Sequence, residues 1–263
     1  MNCATATSNE MKTTIQNVWD KDRKYGEYFY KMAMGELPNM FCSDAIADLI
    51  KKIYKKEATM LDVGCGAGHY LRSLRERVDR DINYTGVDFS PSYIKLARQA
   101  HKNSATFLVG SIQNIPFKTK QFDIVMANNV LLHVPPPPVK AFRELLRVSK
   151  KYVIVRTVFG ERNYIMREVL SNSDFGINKP DTALFRSDGT PMSFNYFNLY
   201  TETYFKDLIK KIAPKAKLTI IKDLSYKKFD NRTSTRSTGT RVVDGLQISG
   251  NLLLDWRFII IEK

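Results

Sequence analysis

The chain has 263 residues, 43% of them hydrophobic and 11% aromatic, which is enough for a globular core and excludes a disordered chain. Its formal charge of +14 keeps nucleic acid open as a partner, although the basic residues are dispersed and form no arginine-rich arm. No apolar stretch approaches the ~20 residues of a membrane span, and the polar start lacks a signal-peptide core. The three cysteines are widely spaced and odd in number. We therefore expect a cytoplasmic protein with no membrane segment, no disulfide framework and no metal site.

Predicted strands and helices alternate along most of the chain. Ser43 or Asp44 is expected to cap the first helix, and Ser90 with Pro91 to begin another. The proline tract at 135–138 predicts a rigid entry to a further helix. The predicted helices are 43–54, 67–78, 90–100, 139–149 and 201–212, and the predicted strands are 58–63, 83–89, 105–110, 122–132, 151–158, 217–225 and 252–263. Such alternation indicates a parallel sheet covered by helices on both faces.

A glycine cluster lies on the first strand-to-helix turn, where ligands bind in sheets of this kind. Gly64, Gly66 and Gly68 form G-x-G-x-G, whereas dinucleotide-binding folds need a third glycine where His69 stands. The turn could also be tight without any ligand. Asp88, at the end of the second strand, can accept both hydroxyls of a ribose, or it can be a carboxylate favoured by a helix N-terminus.

Four ordered segments within residues 60–158 resemble one protein family. They are LDVGCGAG, GVDFSP, FLVGSIQNIPF, and FDIVMANNVLLHV followed by FRELLRV. Together they resemble the class I S-adenosylmethionine-dependent methyltransferases, in particular the small-molecule enzymes of the ubiquinone and menaquinone biosynthesis type. The resemblance implies an α/β, doubly wound, Rossmann-like sheet of seven strands, mostly parallel with an antiparallel last strand. It also implies S-adenosylmethionine as cofactor.

The resemblance further implies a set of cofactor-binding residues: Asp62, Gly64, Cys65, Gly66, Gly68, Asp88, Phe89, Ser111, Ile112 and Asn128. The glycine turn and Asp62 would meet the methionine end, Asp88 the ribose, and Phe89, Ser111 and Ile112 the adenine. Asn128 would lie beside the transferable methyl group. Ser111 departs from the family's usual aspartate, which implies weaker cofactor binding because a charge-assisted hydrogen bond is lost.

We expect transfer of a methyl group to an oxygen or nitrogen of a small, polar or anionic acceptor. His133 is the candidate general base because an unperturbed histidine titrates near neutrality, and it could equally be a structural residue under the cofactor. His69 is expected to face solvent and His101 to lie on the surface. Two other functions stay open, namely an RNA methyltransferase acting on tRNA and a non-catalytic S-adenosylmethionine-binding protein.

Two segments outside the motifs are predicted to cover the site. Residues 1–42 carry a dense group of aromatics and form either a lid or an extra packed helix, ahead of a methyltransferase domain at 43–263. Residues 159–198 form an insertion after the fifth strand that we interpret as an apolar substrate cap, or alternatively as an ordinary packed subdomain. Residues 226–246 are interpreted as a mobile basic flap, or alternatively as a hairpin tip. The oligomeric state is not predicted.

Overall fold

A computed structural model describes Trp19 and residues 23–175, 183–228, 241–243, 245–249 and 252–263. The helices are α1 (Arg23–Met34), α2 (Phe41–Lys51), α3 (Tyr70–Arg77), α4 (Pro91–His101), α5 (Val139–Val148) and α6 (Glu202–Ile212). The strands are β1 (Thr59–Val63), β2 (Asn83–Asp88), β3 (Thr106–Val109), β4 (Phe122–Asn128), β5 (Ser149–Phe159), β6 (Tyr164–Val169), β7 (Phe194–Leu199), β8 (Lys217–Lys222), β9 (Arg241–Val243), β10 (Leu246–Ser249) and β11 (Leu252–Glu262).

The main sheet follows the order β3-β2-β1-β4-β5-β11-β10-β9. Strand β8 lies outside this path and pairs with residues 257–262 of β11, whereas β10 pairs with residues 252–254. Strands β1 to β5 run parallel, and β11 runs antiparallel to both β5 and β8. The predicted α/β class and the antiparallel last strand are therefore confirmed. The predicted count of seven strands is too small, because β9 and β10 bring the described sheet to nine strands.

Two apolar cores lie on opposite faces of the sheet. Helices α2, α3 and α4 pack on one face through Ile46, Leu71 and Ile94, together with Met60 and Met126 of the strands. Helices α5 and α6 pack on the other face through residues such as Phe142, Leu145, Phe205 and Ile209. The sheet is thus buried on both sides, which explains why its central strands read as continuous apolar runs.

Helix boundaries follow the sequence signals in two of three cases. The Ser90 hydroxyl caps α4 by accepting a hydrogen bond from the Tyr93 amide, and α5 begins directly after the proline tract, as predicted. The first predicted helix begins earlier, at Phe41, and neither Ser43 nor Asp44 caps it. Met40 holds the cap position and makes no side-chain capping bond. Ser43 lies inside the helix, where it is buried.

Two additional elements lie over the carboxyl edge of the sheet. Helix α1 packs on α4, where Gly26 permits close approach because a side chain there would lie 2.9 Å from the Tyr93 ring. Strands β6 and β7 form a separate antiparallel hairpin within the insertion. Residues 229–240 of the predicted flap lie outside the described residues. None of the described helices is long and apolar enough to cross a membrane.

Candidate functional site

The glycine turn between β1 and α3 is held in a conformation that favours glycine. Gly64, Gly66 and Gly68 all have positive φ angles, of 81°, 55° and 77°. A side chain at Gly64 would also lie 2.1 Å from a methyl group of Val130, so a larger residue would clash there. The turn is therefore fixed by backbone geometry and by the loop after β4, and it presents main-chain groups at the sheet edge.

Asp88 is bound directly to this turn. Its carboxylate accepts hydrogen bonds from the Gly66 amide at 2.9 Å and from the Ser90 amide at 2.9 Å. These two hydrogen bonds fix the carboxylate between the glycine turn and the residues that lead into α4. Asp88 is the last residue of β2, two positions before the Ser90 cap of α4, and its carboxylate contacts the glycine turn; the ribose role stays a prediction.

Strand register places Asp88 and Asn128 on either side of β1. Asp62 of β1 pairs with Gly86 of β2 and with Met126 of β4, so both Asp88 and Asn128 lie two residues beyond it toward the carboxyl edge. Asn128 is buried, and its Oδ1 atom has no hydrogen-bond partner among the described residues. A buried acceptor without a partner is costly, and a bound donor group would satisfy it.

Asp62 is buried beneath the turn, and its pKa is raised above that of an ordinary aspartate. The Tyr84 hydroxyl donates to its Oδ2 atom at 2.6 Å. Burial raises the pKa of Asp62 to about 7, the Tyr84 hydrogen bond lowers it, and the charge of Asp88 raises it further. The carboxyl is therefore poised to ionise when a cation approaches.

The remaining predicted cofactor residues follow β1, β2 and β3, and they differ in how deeply they are buried. The Cys65 side chain is fully buried against Gly86, where an added side chain would lie 2.8 Å from its sulfur, and its thiol donates to the Gly66 carbonyl oxygen at 3.6 Å. Ser111 follows β3, and its hydroxyl accepts from the Gln113 amide at 3.2 Å. Phe89 is half-buried, and Ile112 is buried in the core beneath the loop that follows β3.

Both histidines that were expected at the surface are buried. His101 is 8% exposed, and its Nε2 atom lies 3.0 Å from the Gly68 carbonyl, so the ring donates to the glycine turn. His69 is 5% exposed because Phe29 of α1 stacks on it at 4.5 Å. Neither ring nitrogen of His69 has a partner among the described residues, and burial lowers its pKa to about 3. The prediction for His69 was wrong because α1 covers the start of α3, and that for His101 was wrong because its ring packs against Gly68 and Phe107.

His133 lies in a short 3-10 turn after β4 (Leu131–His133) and faces the β6–β7 hairpin. Its Nδ1 atom is 2.8 Å from the Tyr196 carbonyl oxygen, which can only accept, so Nδ1 carries the proton and Nε2 is left as an acceptor. The Asn195 carboxamide nitrogen is placed 2.9 Å from the same Nδ1 atom. Turning that carboxamide over brings its oxygen, otherwise without a partner, against the Nδ1 proton. Burial lowers the pKa of His133 to about 4, so the ring is neutral.

A buried ion pair next to Asn129 was not predicted from the sequence. Arg156 of β5 is fully buried, and it contacts Asp223 at 2.6 Å and the Trp256 ring at 4.0 Å. It also donates to Asn129 Oδ1 at 2.5 Å, and Asn129 has a positive φ of 59°. The available signal was an arginine inside the apolar run KYVIVRTV, since a buried arginine requires an anionic partner.

Comparison with known proteins assigns the family. Residues 61–155 match the family described as "Methyltransferase domain". This part of the chain is a class I, S-adenosylmethionine-dependent methyltransferase domain. The glycine turn, Asp88 and the Asn128 oxygen all lie within this domain. Main-chain groups, a carboxylate and an unsatisfied amide oxygen at one edge are groups that can hold a charged nucleoside cofactor.

Relatives of the domain are diverse. An uncharacterized protein of Methanocaldococcus jannaschii is 29% identical over 174 residues, which cover 65% of this chain and 70% of that protein. Ajmaline N-methyltransferase of Rauvolfia serpentina is 31% identical over 100 residues, covering 36% of this chain and 33% of the enzyme. The chain thus spans about a third of that enzyme's length.

The fold is also similar to solved methyltransferase structures. One is the 1,6-didemethyltoxoflavin-N1-methyltransferase of Burkholderia thailandensis, solved with 1,6-didemethyltoxoflavin and S-adenosylhomocysteine. It is 13% identical, with a TM-score of 0.59, and the match covers 100% of this chain and 93% of that one. At this identity the similarity shows a shared fold.

Proposed function

We propose that this protein transfers a methyl group from S-adenosylmethionine to an oxygen or nitrogen atom of a small-molecule acceptor. The observation that carries the proposal is the contact of the Asp88 carboxylate with the Gly66 amide, because it joins the ribose acceptor to the glycine turn of a methyltransferase domain. A relative named for N-methylation of ajmaline supports a small acceptor. A relative named for O-methylation of malonyl-[acyl-carrier protein] supports an oxygen as an acceptor atom.

The chain's own residues have distinct parts in this proposal. When bound, the cofactor supplies a methyl group already activated by a sulfonium. The turn from Gly64 to Gly68 holds the methionine end with main-chain groups, and Asp62 pairs with its amino group. Asp88 accepts the ribose hydroxyls, while Ser111 and neighbouring apolar residues hold the adenine. Because the donor is activated, the protein's main task is to align the acceptor and exclude water.

His133 is proposed to take up the acceptor's proton if the acceptor must lose one. The Tyr196 carbonyl fixes the ring with Nε2 as the basic atom, and the neutral ring is ready to accept a proton. Its low pKa makes it a weak base, so we expect it to assist an acceptor that is itself readily deprotonated. Trp19 lies edge-on to the ring at 5.0 Å and helps to shield it from water.

Residues 1–42 are proposed to act as a lid on the domain that follows. The support is that Phe29 stacks on His69 beside Gly66, so α1 covers the glycine turn and must shift for the cofactor to enter. The insertion at 159–198 is proposed as the substrate cap, since its hairpin touches His133 through Tyr196 and Phe197. Limited proteolysis should show protection of cleavage sites before residue 40 on adding S-adenosylmethionine, and unchanged cleavage there would contradict the lid.

Calorimetry with S-adenosylmethionine tests the cofactor site. Replacing Asp88 by Asn removes charge-assisted hydrogen bonds of about 1.5–3 kcal/mol each, so affinity should fall about 30-fold or more. Asp81→Asn, an exposed position outside the site, is the matched control. Equal affinity of the two variants would contradict the proposed ribose contact.

An acceptor screen with labelled donor tests the reaction itself. Small polar and anionic molecules form one arm and bulk tRNA forms the other, because the net charge of +14 also suits a phosphate backbone. We expect label in a small molecule, identified by mass spectrometry. Label in tRNA that declines steeply with salt would replace our proposal by an RNA methyltransferase, and donor binding without turnover in any arm would favour a binding protein.

A further inference from the structure

A pocket of about 200 Å³ lies next to the buried Arg156–Asp223 pair, beyond the carboxyl end of β8. Its walls include Asp223, Tyr226 and Trp256. Asp223 and Trp256 therefore belong both to the pocket and to the surroundings of Arg156. The cofactor residues assigned above do not line it, so it is a second site in the described part of the chain.

The charges around this pocket are unbalanced toward positive. Its two carboxylates are each neutralised from behind: Asp223 by Arg156 at 2.6 Å, and Asp255 by Arg257 at 2.6 Å. Two lysines also line the pocket, Lys222 and Lys227, and neither forms an ion pair with another described residue. Among the described residues that line the pocket, an anion would thus meet two positive charges and no uncompensated negative one.

The pocket also offers ordered apolar surface. Trp256 is fixed from both sides, because its Nε1 atom donates to Gln247 at 2.8 Å and its ring lies 4.0 Å from the Arg156 guanidinium. Leu224 and Leu246 line the pocket while remaining 51% and 36% exposed. Pockets for small organic ligands combine such apolar walls with a few polar groups that recognise the ligand's charge.

A glycine helps to place one of the two lysines. A side chain at Gly245 would lie 2.7 Å from the Lys227 side chain, and Gly245 has a positive φ of 77°. The Lys227 stem can therefore lie close against the turn between β9 and β10. This limits the freedom of its ammonium group near the pocket.

We propose that this pocket binds the planar, negatively charged part of a small organic molecule, such as an aromatic carboxylate. Lys222 and Lys227 recognise its charge, and Trp256 and Tyr226 form apolar surface for its ring. We further infer that this molecule is the methyl acceptor, an inference that rests on the proposed methyltransferase function. Arg156 links the pocket wall to Asn129, the residue after Asn128, so a ligand here contacts the same ion pair that fixes the end of β4.

The test uses benzoate and its neutral analogue benzamide as probes of the full chain, with binding followed by calorimetry and by tryptophan fluorescence. Benzoate should bind, and benzamide should bind more weakly. The double variant Lys222→Gln/Lys227→Gln should weaken benzoate binding about fivefold, taking roughly 0.5 kcal/mol for each exposed charge contact. Lys210→Gln/Lys211→Gln, with the same loss of charge on the exposed end of α6, should leave it unchanged.

Three results would overturn the site: no benzoate binding, equal binding of benzoate and benzamide, or equal losses in the two double variants. These measurements need no methyl transfer, so they can fail while the proposed enzyme activity stands. A second arm offers 4-hydroxybenzoate and 4-aminobenzoate with labelled donor. Methylation of either would support an acceptor site, whereas binding without methylation would support a separate ligand site in the same pocket.

Discussion

We expect cofactor binding to release a proton from Asp62 near neutral pH. In the ligand-free protein, burial raises the pKa of this carboxyl to about 7, so about half of the molecules carry the proton at pH 7. An ammonium group next to a carboxyl lowers its pKa. If Asp62 holds the amino group of the cofactor, it ionises as the cofactor binds, and binding becomes tighter as the pH rises.

The size of this effect follows from linkage. With a pKa of about 7 before binding and below about 5 afterwards, the dissociation constant is multiplied by about 11 at pH 6 and by about 1.1 at pH 8. Affinity should therefore rise about tenfold between these values. The histidines of the described chain leave this window clear, because burial lowers the pKa of His69 to about 3 and those of His101 and His133 to about 4.

Calorimetry with S-adenosylhomocysteine at pH 6, 7 and 8 measures the affinity, and two buffers of different ionisation enthalpy measure the proton release, expected to be about half a proton at pH 7. Asp62→Asn should remove the tenfold rise, and the exposed Asp81→Asn should preserve it. Any titration of the ligand itself is shared by all three proteins. Equal pH slopes for the wild type and Asp62→Asn would refute the reasoning.

The raised pKa of Asp62 also makes the free energy of unfolding fall as the pH rises. Between about pH 4 and pH 7 the folded, ligand-free protein holds a proton on Asp62 that the unfolded chain has lost. The stabilisation by this proton is therefore complete below pH 4 and is lost as the pH rises through 7. Asp62→Asn should consequently stabilise the ligand-free protein at pH 8, by about 1–4 kcal/mol, in denaturant titrations. Destabilisation at pH 8 would contradict the raised pKa.

Three further predictions concern the turn, the adenine loop and the histidine. Gly64→Ala should lower the free energy of unfolding by about 3 kcal/mol in urea, because it adds a clash with Val130 to the strain of a positive φ. Gly189→Ala, with φ of 80° and open space around it, should lower it by about 1 kcal/mol. Equal losses in the two variants would exclude the clash. Ser111→Asp should tighten S-adenosylmethionine binding by about 1 kcal/mol in calorimetry, and unchanged affinity would remove Ser111 from the site. His133→Ala should lower kcat by about 100-fold in the acceptor assay with little change in donor affinity, and near-normal turnover would exclude the base role.

The architecture of the domain could be predicted because its signals are local. Glycine spacing, the Ser90 and Pro91 start signal and the alternation of apolar runs depend on neighbours in the chain, and the structure confirms the elements that they indicate. The predicted edge of the sheet does bring Asp62, Asp88 and Asn128 together, because register follows from parallel pairing.

Burial of the histidines and of Arg156 could not be predicted in this way, since it depends on distant segments. His69 is covered by α1, some 40 residues earlier in the chain, and Arg156 is neutralised by Asp223, 67 residues later. The residues next to His69 in the sequence carry no signal of this cover, because Phe29 belongs to a distant segment. The extra strands β9 and β10 lie in a polar segment whose composition favours a loop.

The stacking of Phe29 on His69 has a kinetic consequence for this enzyme as we propose it. Because the aromatic pair covers the glycine turn, donor and protein can meet many times without binding, and entry waits for α1 to lift. The observed association rate then rises with donor concentration only at first and levels off at the rate at which the helix opens. Product release requires the same opening. The opening rate of the N-terminal helix therefore limits both the binding of S-adenosylmethionine and the release of S-adenosylhomocysteine.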